Sequence, residues 1–217
     1  MQSASYQIIS KGPGQERRNG RRQLAVLRAA LVDIEGLTHF CRIVNVSQGG
    51  LELRLYRPAP CGTEVHIRFA SEKCMTGKVV WSRGNSAGVA LDIGLDTAEF
   101  TRASPVDPRH RRRMPRATVE ASGTLTVGTL HYHANLLDIS PAGARVRTVK
   151  PLVSAGQAAL RLPNFTIIPS RICWLGECDV GLKFNEALEM RALEEWLESG
   201  RPQRPPYVEP MLAASSI

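Results

Sequence analysis

Arginine is concentrated in two short segments of the chain, and its side chain is suited to binding phosphate groups and guanine bases. The segment RHRRRMPR at 109–116 contains five arginines, and the segment ERRNGRR at 16–22 contains four. The planar guanidinium forms paired hydrogen bonds with phosphate or with a guanine edge, and it stacks on purine rings. A block of like charge is also typical of a solvated segment or a nucleic-acid-binding tail. The arginines alone therefore leave these interpretations open.

A second polar pattern follows each arginine segment and supplies the hydrogen-bond acceptors that arginine lacks. It has the form D/N-x-S-x-x-G and occurs as NVSQGG at 45–50 and as DISPAG at 138–143. The carboxylate of Asp138 can accept two hydrogen bonds from guanine N–H groups, whereas the amide of Asn45 offers one acceptor. The serine can bond a base or the nearby backbone. The glycine can serve either the close approach of a ligand or a strand turn.

The arginine segment and the polar pattern recur together within an internal repeat. CRIVNVSQGGLELRL aligns with ANLLDISPAGARVRT, and GKVVWSRGNSAGVAL aligns with SRICWLGECDVGLKF, both at an offset of 93 residues. The arginine segments align at an offset of 95 residues, so a two-residue difference in an intervening hairpin is expected. An accidental charged linker would not reproduce this order. Two copies of about 90 residues are far longer than solenoid repeats and predict two domains of one fold.

Short segments rich in Val, Ile, Leu and aromatic residues, separated by Gly, Asn, Pro or Ser, predict an all-β fold in both copies. This pattern is typical of an antiparallel barrel or sandwich. The predicted strands are 24–34, 38–46, 50–56, 64–70 and 77–82 in the first copy and 117–127, 133–139, 143–149, 157–163, 166–175 and 178–184 in the second. Helical spacing after the last strand predicts a helix that has Asn185 as its N-cap and Gly200 just past its end, and that packs on the second domain.

The repeat also predicts the domain boundaries. We expect an N-terminal arm at 1–13, a first domain at 14–103, a second domain at 104–200 and a disordered, Pro-rich tail at 201–217. Two prolines and the lack of apolar periodicity indicate a linker at 101–110. Because like charges repel, we expect the arginines that follow this linker to be mobile until a ligand neutralises them.

Composition and residue pattern narrow the classes of function. Lys and Arg number 28 against 20 Asp and Glu, and the net charge of +8 favours an anionic partner. No run approaches the roughly 18 apolar residues of a membrane span, and the N-terminus lacks the features of a signal peptide, so we expect a cytoplasmic protein. The five cysteines are expected to be reduced, and no four-ligand set predicts a metal site. No nucleophile, base and orienting group repeat between the copies, so we expect neither an enzyme nor a catalytic residue.

In order and spacing, these residues resemble the PilZ domain, a bacterial receptor domain for the second messenger cyclic di-GMP. The family pattern R-x-x-x-R is matched by Arg17 and Arg21 and again by Arg112 and Arg116, each pair followed by the D/N-x-S-x-x-G pattern. The resemblance covers nearly the whole chain as two tandem copies. It implies two six-stranded antiparallel β-barrels, each with its arginine segment over a ligand held against the barrel surface. It further implies a cyclic di-GMP receptor that needs no cofactor and passes a signal to a protein partner.

The resemblance and the side-chain chemistry together give one set of candidate site residues. The candidate cyclic di-GMP-binding residues are Arg17, Arg18, Arg21, Asn45, Ser47, Gly50, Arg111, Arg112, Arg113, Arg116, Asp138, Ser140 and Gly143. The first copy departs from the family pattern in two ways. First, Gly20 lies within its arginine pair and an extra arginine follows at Arg22, so Arg18 and Arg22 form an alternative register. Second, Asn45 stands where the pattern prefers an acidic residue. We therefore expect the second copy to be the stronger site.

Two other functions remain open from the sequence. A basic β-barrel can bind single-stranded nucleic acid through a charged groove with exposed aromatic residues. The chain is only 6% aromatic, and its arginines form two compact segments, which favours a dinucleotide over a polymer. The chain could also be a structural adaptor with vestigial ligand sites. A homo-oligomer is compatible with each of these functions.

Overall fold

The residues that the computed structural model describes are 23–69 (the backbone alone for 23–27), 74–97, 100, 114–152 and 154–200. Within them the chain forms twelve β-strands and, near its C-terminus, an α-helix. They divide into two compact units between Pro115 and Arg116. The predicted N-terminal arm, the linker with its arginines up to residue 113 and the predicted tail lie outside the described residues. No helix among the described residues has the length and apolar character needed to span a bilayer.

The first unit is a closed six-stranded β-barrel in which all neighbouring strands are antiparallel. Its strands are β1 (Gln23–Ile34), β2 (Leu37–Ser47), β3 (Gly50–Arg54), β4 (Glu64–Arg68), β5 (Cys74–Arg83) and β6 (Ser86–Leu91). Around the barrel they follow the order β1-β2-β3-β6-β5-β4, and β1 pairs with β4 to close it. Closure removes the unpaired strand edges that an open sheet would present.

The second unit repeats this architecture. Its strands are β7 (Ala117–Val127), β8 (Leu130–Ser140), β9 (Gly143–Thr148), β10 (Gln157–Arg161), β11 (Ile168–Leu175) and β12 (Asp179–Phe184). They form a closed antiparallel barrel in the order β7-β8-β9-β12-β11-β10, which is the order of the first barrel. The prediction of two tandem antiparallel β-barrels is therefore confirmed.

Alternation along the strands separates a packed interior from the outer face that carries the polar pattern. In β9, Ala144, Val146 and Thr148 are buried, whereas Arg145 and Arg147 are exposed. Full burial of a Val, Leu or Ile side chain contributes about 1.5–3 kcal/mol. Because a one-residue slip would turn every apolar side chain outward, the interior sets the register of each strand. The outward residues are placed on the surface as a consequence.

A two-residue turn holds β1 and β2 in register. Glu35 and Gly36 connect Ile34 to Leu37, and their φ angles are 51° and 78°. Two consecutive positive φ angles are typical of a type I′ turn, whose twist matches that of the strands it joins. This register continues along β2 to the polar pattern at its end.

The sixth strand of the first barrel, β6, was not among the strands predicted from its sequence. SAGVAL consists mainly of small residues, which have a weak intrinsic preference for strands. The segment is nevertheless paired with β3 on one side and β5 on the other, and Ala87 and Val89 point into the core. Pairing on both sides and burial of alternate residues therefore override the weak local preference.

The helix of the second unit, α1 (Met190–Ser199), begins later than the sequence predicts. The predicted N-cap, Asn185, is wrong, because the segment before the helix hydrogen-bonds to the barrel instead. The backbone N–H of Asn185 donates to the carbonyl oxygen of Pro169 at 2.9 Å. The backbone N–H of Leu188 donates to that of Pro141 at 2.8 Å. These bonds delay the first helical turn to Met190.

One side chain anchors α1 to the second barrel, which confirms that the helix packs there. The indole N–H of Trp196 donates to the carbonyl oxygen of Pro163 at 2.8 Å. The Trp196 ring also meets Phe165 edge to face, with 5.8 Å between the ring centroids. Gly200 follows the last helical residue, as predicted.

Candidate ligand-binding site

The predicted site residues that the structure describes lie in equivalent places on the two barrels. The residues at the β2–β3 turn are Asn45, Ser47 and Gly50, and those at the β8–β9 turn are Asp138, Ser140 and Gly143. Arg116 immediately precedes β7, which is the strand next to β8. The predicted site residues outside the described residues are Arg17, Arg18, Arg21, Arg111, Arg112 and Arg113.

The serine of the pattern closes the turn in both barrels. The hydroxyl of Ser47 donates to the carbonyl oxygen of Gly50 at 3.1 Å, and the hydroxyl of Ser140 donates to that of Gly143, also at 3.1 Å. Ser140 is buried. Its hydroxyl therefore stabilises the turn from the interior of the barrel and helps to fix the position of Asp138, two residues earlier.

The glycine of the pattern is required by strand packing. A Cβ atom on Gly143 would overlap the backbone carbonyl oxygen of Leu182 in β12, and one on Gly50 would lie 2.5 Å from the carbonyl oxygen of Val89 in β6. Neither glycine has a positive φ. The two roles considered from the sequence were the close approach of a ligand and a strand turn, whereas the structure shows a close approach of another kind. The approaching group is the neighbouring strand of the same barrel.

Asp138 lies on the outer face of the second barrel between two arginines. Its Oδ1 atom is 2.5 Å from Nη1 of Arg116, and its Oδ2 atom is 3.5 Å from Nε of Arg145. Asp138 and Arg145 are direct cross-strand partners in β8 and β9. The carboxylate is 20% exposed and each arginine side chain 45% exposed. Two partly solvated guanidinium groups are thus held beside one carboxylate.

The equivalent position of the first barrel has the opposite charge. Asn45 in β2 pairs across strands with Glu52 in β3, just as Asp138 pairs with Arg145. The side-chain amide of Asn45 donates a hydrogen bond to the carboxylate of Glu52. A carboxylate therefore occupies the place that Arg145 has on the second barrel.

On the second barrel the cross-strand pair of Asp138 and Arg145 continues into a row of paired residues that ends at a tryptophan. Gly181 in β12 pairs with Arg145 on one side and with Trp174 in β11 on the other. A Cβ atom on Gly181 would overlap the indole of Trp174, so the ring lies across the glycine. The tryptophan is 47% exposed. The outer face therefore presents a carboxylate, a guanidinium and an aromatic ring in sequence.

The first barrel contains the same row with two substitutions, Asn45 in place of Asp138 and Glu52 in place of Arg145. Glu52 pairs with Gly88, and Gly88 pairs with Trp81, whose indole again occupies the space above the glycine. Trp81 is less exposed than Trp174. The backbone and the aromatic ring are retained, and the charge beside them is inverted.

Neither Arg145 nor the two tryptophans are among the site residues predicted from the sequence. The signal for Arg145 is its place in the alternating pattern of β9, two residues beyond Gly143 on the outer face. Trp174 gives no such signal, because the register shifts between Ile172 and Trp174 and alters the simple alternation along β11. Cross-strand pairing was needed to place both residues on the face that carries Asp138.

A second ion pair on this face belongs to the second barrel. Arg147 Nε is 2.7 Å from Asp179 Oδ1, and Arg147 Nη2 is 3.2 Å from Asp179 Oδ2. The hydrogen bond from Arg147 lowers the pKa of the Asp179 carboxyl, and the same bond raises the pKa of Arg147. The first barrel has Arg54 paired with Ser86 at the equivalent position, so it lacks this carboxylate. The two outer faces therefore differ in charge at three positions, which are Asn45 and Asp138, Glu52 and Arg145, and Ser86 and Asp179.

A model of the PilZ domain family matches the chain twice, at residues 15–104 and 110–199. With these two regions covering most of its length, the chain belongs to the PilZ domain family and contains two tandem PilZ domains. PilZ domains are ligand-binding receptor domains, which agrees with the polar outer face described above. No curated protein that was compared with the chain matches it at a significant level.

Several solved structures are similar to the chain at low identity. PlzA of Borreliella burgdorferi, in complex with c-di-GMP (cyclic di-GMP), is 14% identical over 78% of this chain and 86% of that chain, with a TM-score of 0.36. The inhibitor of motility MotI/DgrA of Bacillus subtilis is 10% identical over 80% and 95%, with a TM-score of 0.35. The MrkH–c-di-GMP complex of K. pneumonia is 13% identical over 79% and 85%, with a TM-score of 0.31. The assignment to the family rests on the two regions that the family model matches.

Proposed function

We propose that the chain is a receptor for cyclic di-GMP and that its second barrel carries the main binding site. The proposal rests chiefly on the outward carboxylate of Asp138, which lies between the guanidinium groups of Arg116 and Arg145. The ligand would lie against the outer face of this barrel, and the arginine segment at 109–116 would close over it. Membership of the PilZ family supports the class of ligand.

The two arginines suit the phosphates and one edge of the guanines. Each guanidinium has five N–H donors and uses only part of them on Asp138. Because both side chains are partly exposed, the remaining donors can bind a phosphodiester or the O6 and N7 atoms of guanine. A good bidentate contact between arginine and guanine contributes about 1–3 kcal/mol of discrimination between bases. Several contacts of this size would suffice for micromolar affinity, which corresponds to about 8 kcal/mol.

Asp138 would bind the opposite edge of guanine. A carboxylate has two oxygens with about four lone-pair positions, so the contacts with Arg116 and Arg145 leave acceptor positions open. The N1–H and N2–H groups of guanine are donors that such an acceptor can bind. Adenine presents no equivalent pair of donors, so this contact would select guanine.

The receptor would transmit its signal through the ordering of its arginine segment when the ligand binds. Like charges in RHRRRMPR repel each other, and an anionic ligand would neutralise them. In our proposal, binding orders this segment, changes the arrangement of the two domains and so alters the surface that a partner protein meets. The ligand is not turned over, and no cofactor is required.

Calorimetric titration tests the choice of ligand. Cyclic di-GMP is expected to bind more tightly than GTP, cyclic GMP or a single-stranded oligonucleotide at physiological salt, and the cyclic dinucleotide should be recovered intact. The oligonucleotide is the necessary competitor, because the exposed ring of Trp174 beside Arg145 would also suit a stacked single strand. Equal or tighter binding of the oligonucleotide, or release of a linear dinucleotide, would contradict the proposal.

Hydrogen exchange tests the proposed signal separately from binding. Amide exchange over residues 104–117 is expected to slow when saturating cyclic di-GMP is added. Identical exchange with and without bound ligand would rule out ordering of the arginine segment and leave the assignment of the ligand intact.

A further inference from the structure

We infer that one cross-strand position decides which of the two barrels binds the anionic ligand. In the second barrel this position is Arg145, which we assign as a ligand-binding cation; in the first barrel it is Glu52, which disfavours the same ligand. The inference rests on the proposed cyclic di-GMP receptor function and adds to it a residue and a rule for choosing between the sites.

The two residues occupy the same place on the two outer faces. Glu52 is the cross-strand partner of Asn45, and Arg145 is the partner of Asp138. On the other side, each of them pairs with the glycine that lies under the tryptophan ring, Gly88 in the first barrel and Gly181 in the second. The backbone that carries them is therefore equivalent, and the side chain is the variable.

The surroundings of Arg145 leave it able to bind a ligand. Its contact with Asp138 at 3.5 Å is longer than a direct hydrogen bond, and 45% of its side chain is exposed. The exposed ring of Trp174 lies beyond Gly181 on the same row. A base stacked on this ring would bring its phosphate or its polar edge within the range of the Arg145 guanidinium. Arg145 is therefore placed to bind the ligand as well as to orient Asp138.

The surroundings of Glu52 have the opposite effect. Its carboxylate accepts a hydrogen bond from the Asn45 amide, so the donor of Asn45 is directed towards Glu52. A phosphodiester placed as on the second barrel would then meet a carboxylate instead of a guanidinium, and like charges repel at this range. The first barrel also lacks the counterpart of Asp138, because Asn45 is uncharged. Asparagine still offers one acceptor for guanine, so the carboxylate of Glu52 is the difference that disfavours a dianionic nucleotide most strongly.

The test exchanges the two charges in the full-length chain. For the wild type, cyclic di-GMP is expected to slow amide exchange over 138–147 and to leave 45–54 unchanged. Arg145→Glu is expected to weaken binding by about 10- to 100-fold, since it removes a charge-assisted donor and adds a like charge. Arg145→Lys keeps the charge and loses the planar guanidinium, so its affinity for cyclic di-GMP should lie between those of the wild type and Arg145→Glu. Glu52→Arg is expected to add ligand-dependent protection over 45–54.

Arg161→Glu is the matched control, because it makes the same charge change on an exposed residue of β10, which pairs with β7 and β11 and lies outside the row. If Arg145→Glu binds no more weakly than this control, or if the wild type protects both turns equally, the inference is wrong and the receptor function stands. Glu52→Arg without added protection over 45–54 would also overturn it. A wild-type chain that does not bind cyclic di-GMP at all refutes the receptor function instead. Circular dichroism of each variant shows whether the barrels remain folded.

Discussion

The outer faces of the two barrels have the same backbone and opposite local charge. Each has a serine that closes the turn, a glycine packed against the neighbouring strand and a tryptophan across a second glycine. At the position between them the second barrel has Arg145 beside Asp138, and the first has Glu52 beside Asn45. The shared serine and the shared glycine of the pattern thus serve the barrel, whereas the features that differ are the charges beside them and the exposure of the tryptophan. This comparison separates the residues that form the turn from those that we propose to bind the ligand.

The glycine of the pattern provides the largest expected effect, and the effect should be on folding in both barrels. Gly143→Ala would place a methyl group against the Leu182 carbonyl oxygen, and Gly50→Ala would place one 2.5 Å from that of Val89. Backbone atoms cannot move away as a flexible side chain can, so we expect a loss of about 2–3 kcal/mol of unfolding free energy in the affected barrel. Urea denaturation monitored by circular dichroism measures this loss.

Gly49→Ala is the control for the glycine, because a Cβ there would meet nothing within 4 Å. Its stability should stay close to that of the wild type. Should Gly143→Ala also keep wild-type stability and lose only ligand binding, the glycine would serve the ligand and not the strand packing.

Substitution of Asp138 by asparagine would make the second face more similar to the first. Asp138→Asn keeps the shape and one acceptor, but it loses the charge that contacts Arg116 and Arg145 and the second acceptor for guanine. We expect cyclic di-GMP affinity to fall by about 1–3 kcal/mol, with little change for cyclic di-AMP. Calorimetric titration of both ligands measures the difference. Unchanged affinity and selectivity in a folded variant would show that Asp138 only shapes the turn.

How far the sequence predicts this molecule depends on whether a feature is local or cross-strand. The repeat of apolar segments predicted two antiparallel β domains, because buried residues alternate along each strand. The resemblance to the PilZ family supplied the choice of a barrel over a sandwich. The neighbours of Asp138 were not predictable in the same way. Arg145 and Trp174 reach its face through pairing across β9, β12 and β11, and a register shift in β11 alters the alternation there.

The serine and the helix start illustrate the same distinction between local and distant contacts. Ser140 was a candidate ligand-binding residue, and its hydroxyl is buried against the Gly143 carbonyl. Asn185 has the residue type of an N-cap, but tertiary hydrogen bonds from its segment to the barrel delay the helix. For Ser140 the sequence left a base and the nearby backbone open as partners, and the structure shows the backbone three residues further on. For Asn185 the partner of the backbone N–H is Pro169 in β11, which could not be read from the neighbours of Asn185 in sequence.

The tryptophans should have unequal effects on ligand binding, because their exposure differs. Trp174→Ala is expected to weaken cyclic di-GMP binding by about 1 kcal/mol, since stacking of one base on an aromatic ring contributes about 1–3 kcal/mol and part of this ring is covered by the barrel. Trp81→Ala, at the equivalent place beside Glu52, should leave the affinity unchanged. Titration of the two variants side by side makes this comparison. Equal losses would mean that both faces bind the ligand or that the rings act through barrel stability.

The ion pair between Arg147 and Asp179 should produce the smallest effect, and its pH dependence has a definite sign. Because the hydrogen bond from Arg147 lowers the folded-state pKa of Asp179 below the ordinary carboxyl value of 3.8, the ionised pair stabilises the second barrel above that pH. The stabilisation is lost as the pH falls through the lowered pKa. Asp179→Ser introduces the residue type that Ser86 provides in the first barrel. The variant should therefore unfold at a slightly lower urea concentration than the wild type at pH 7, and the two should converge once the pH has fallen below the lowered pKa of Asp179. A difference that persists undiminished in acid would mean that Asp179 stabilises the barrel through packing and not through its charge.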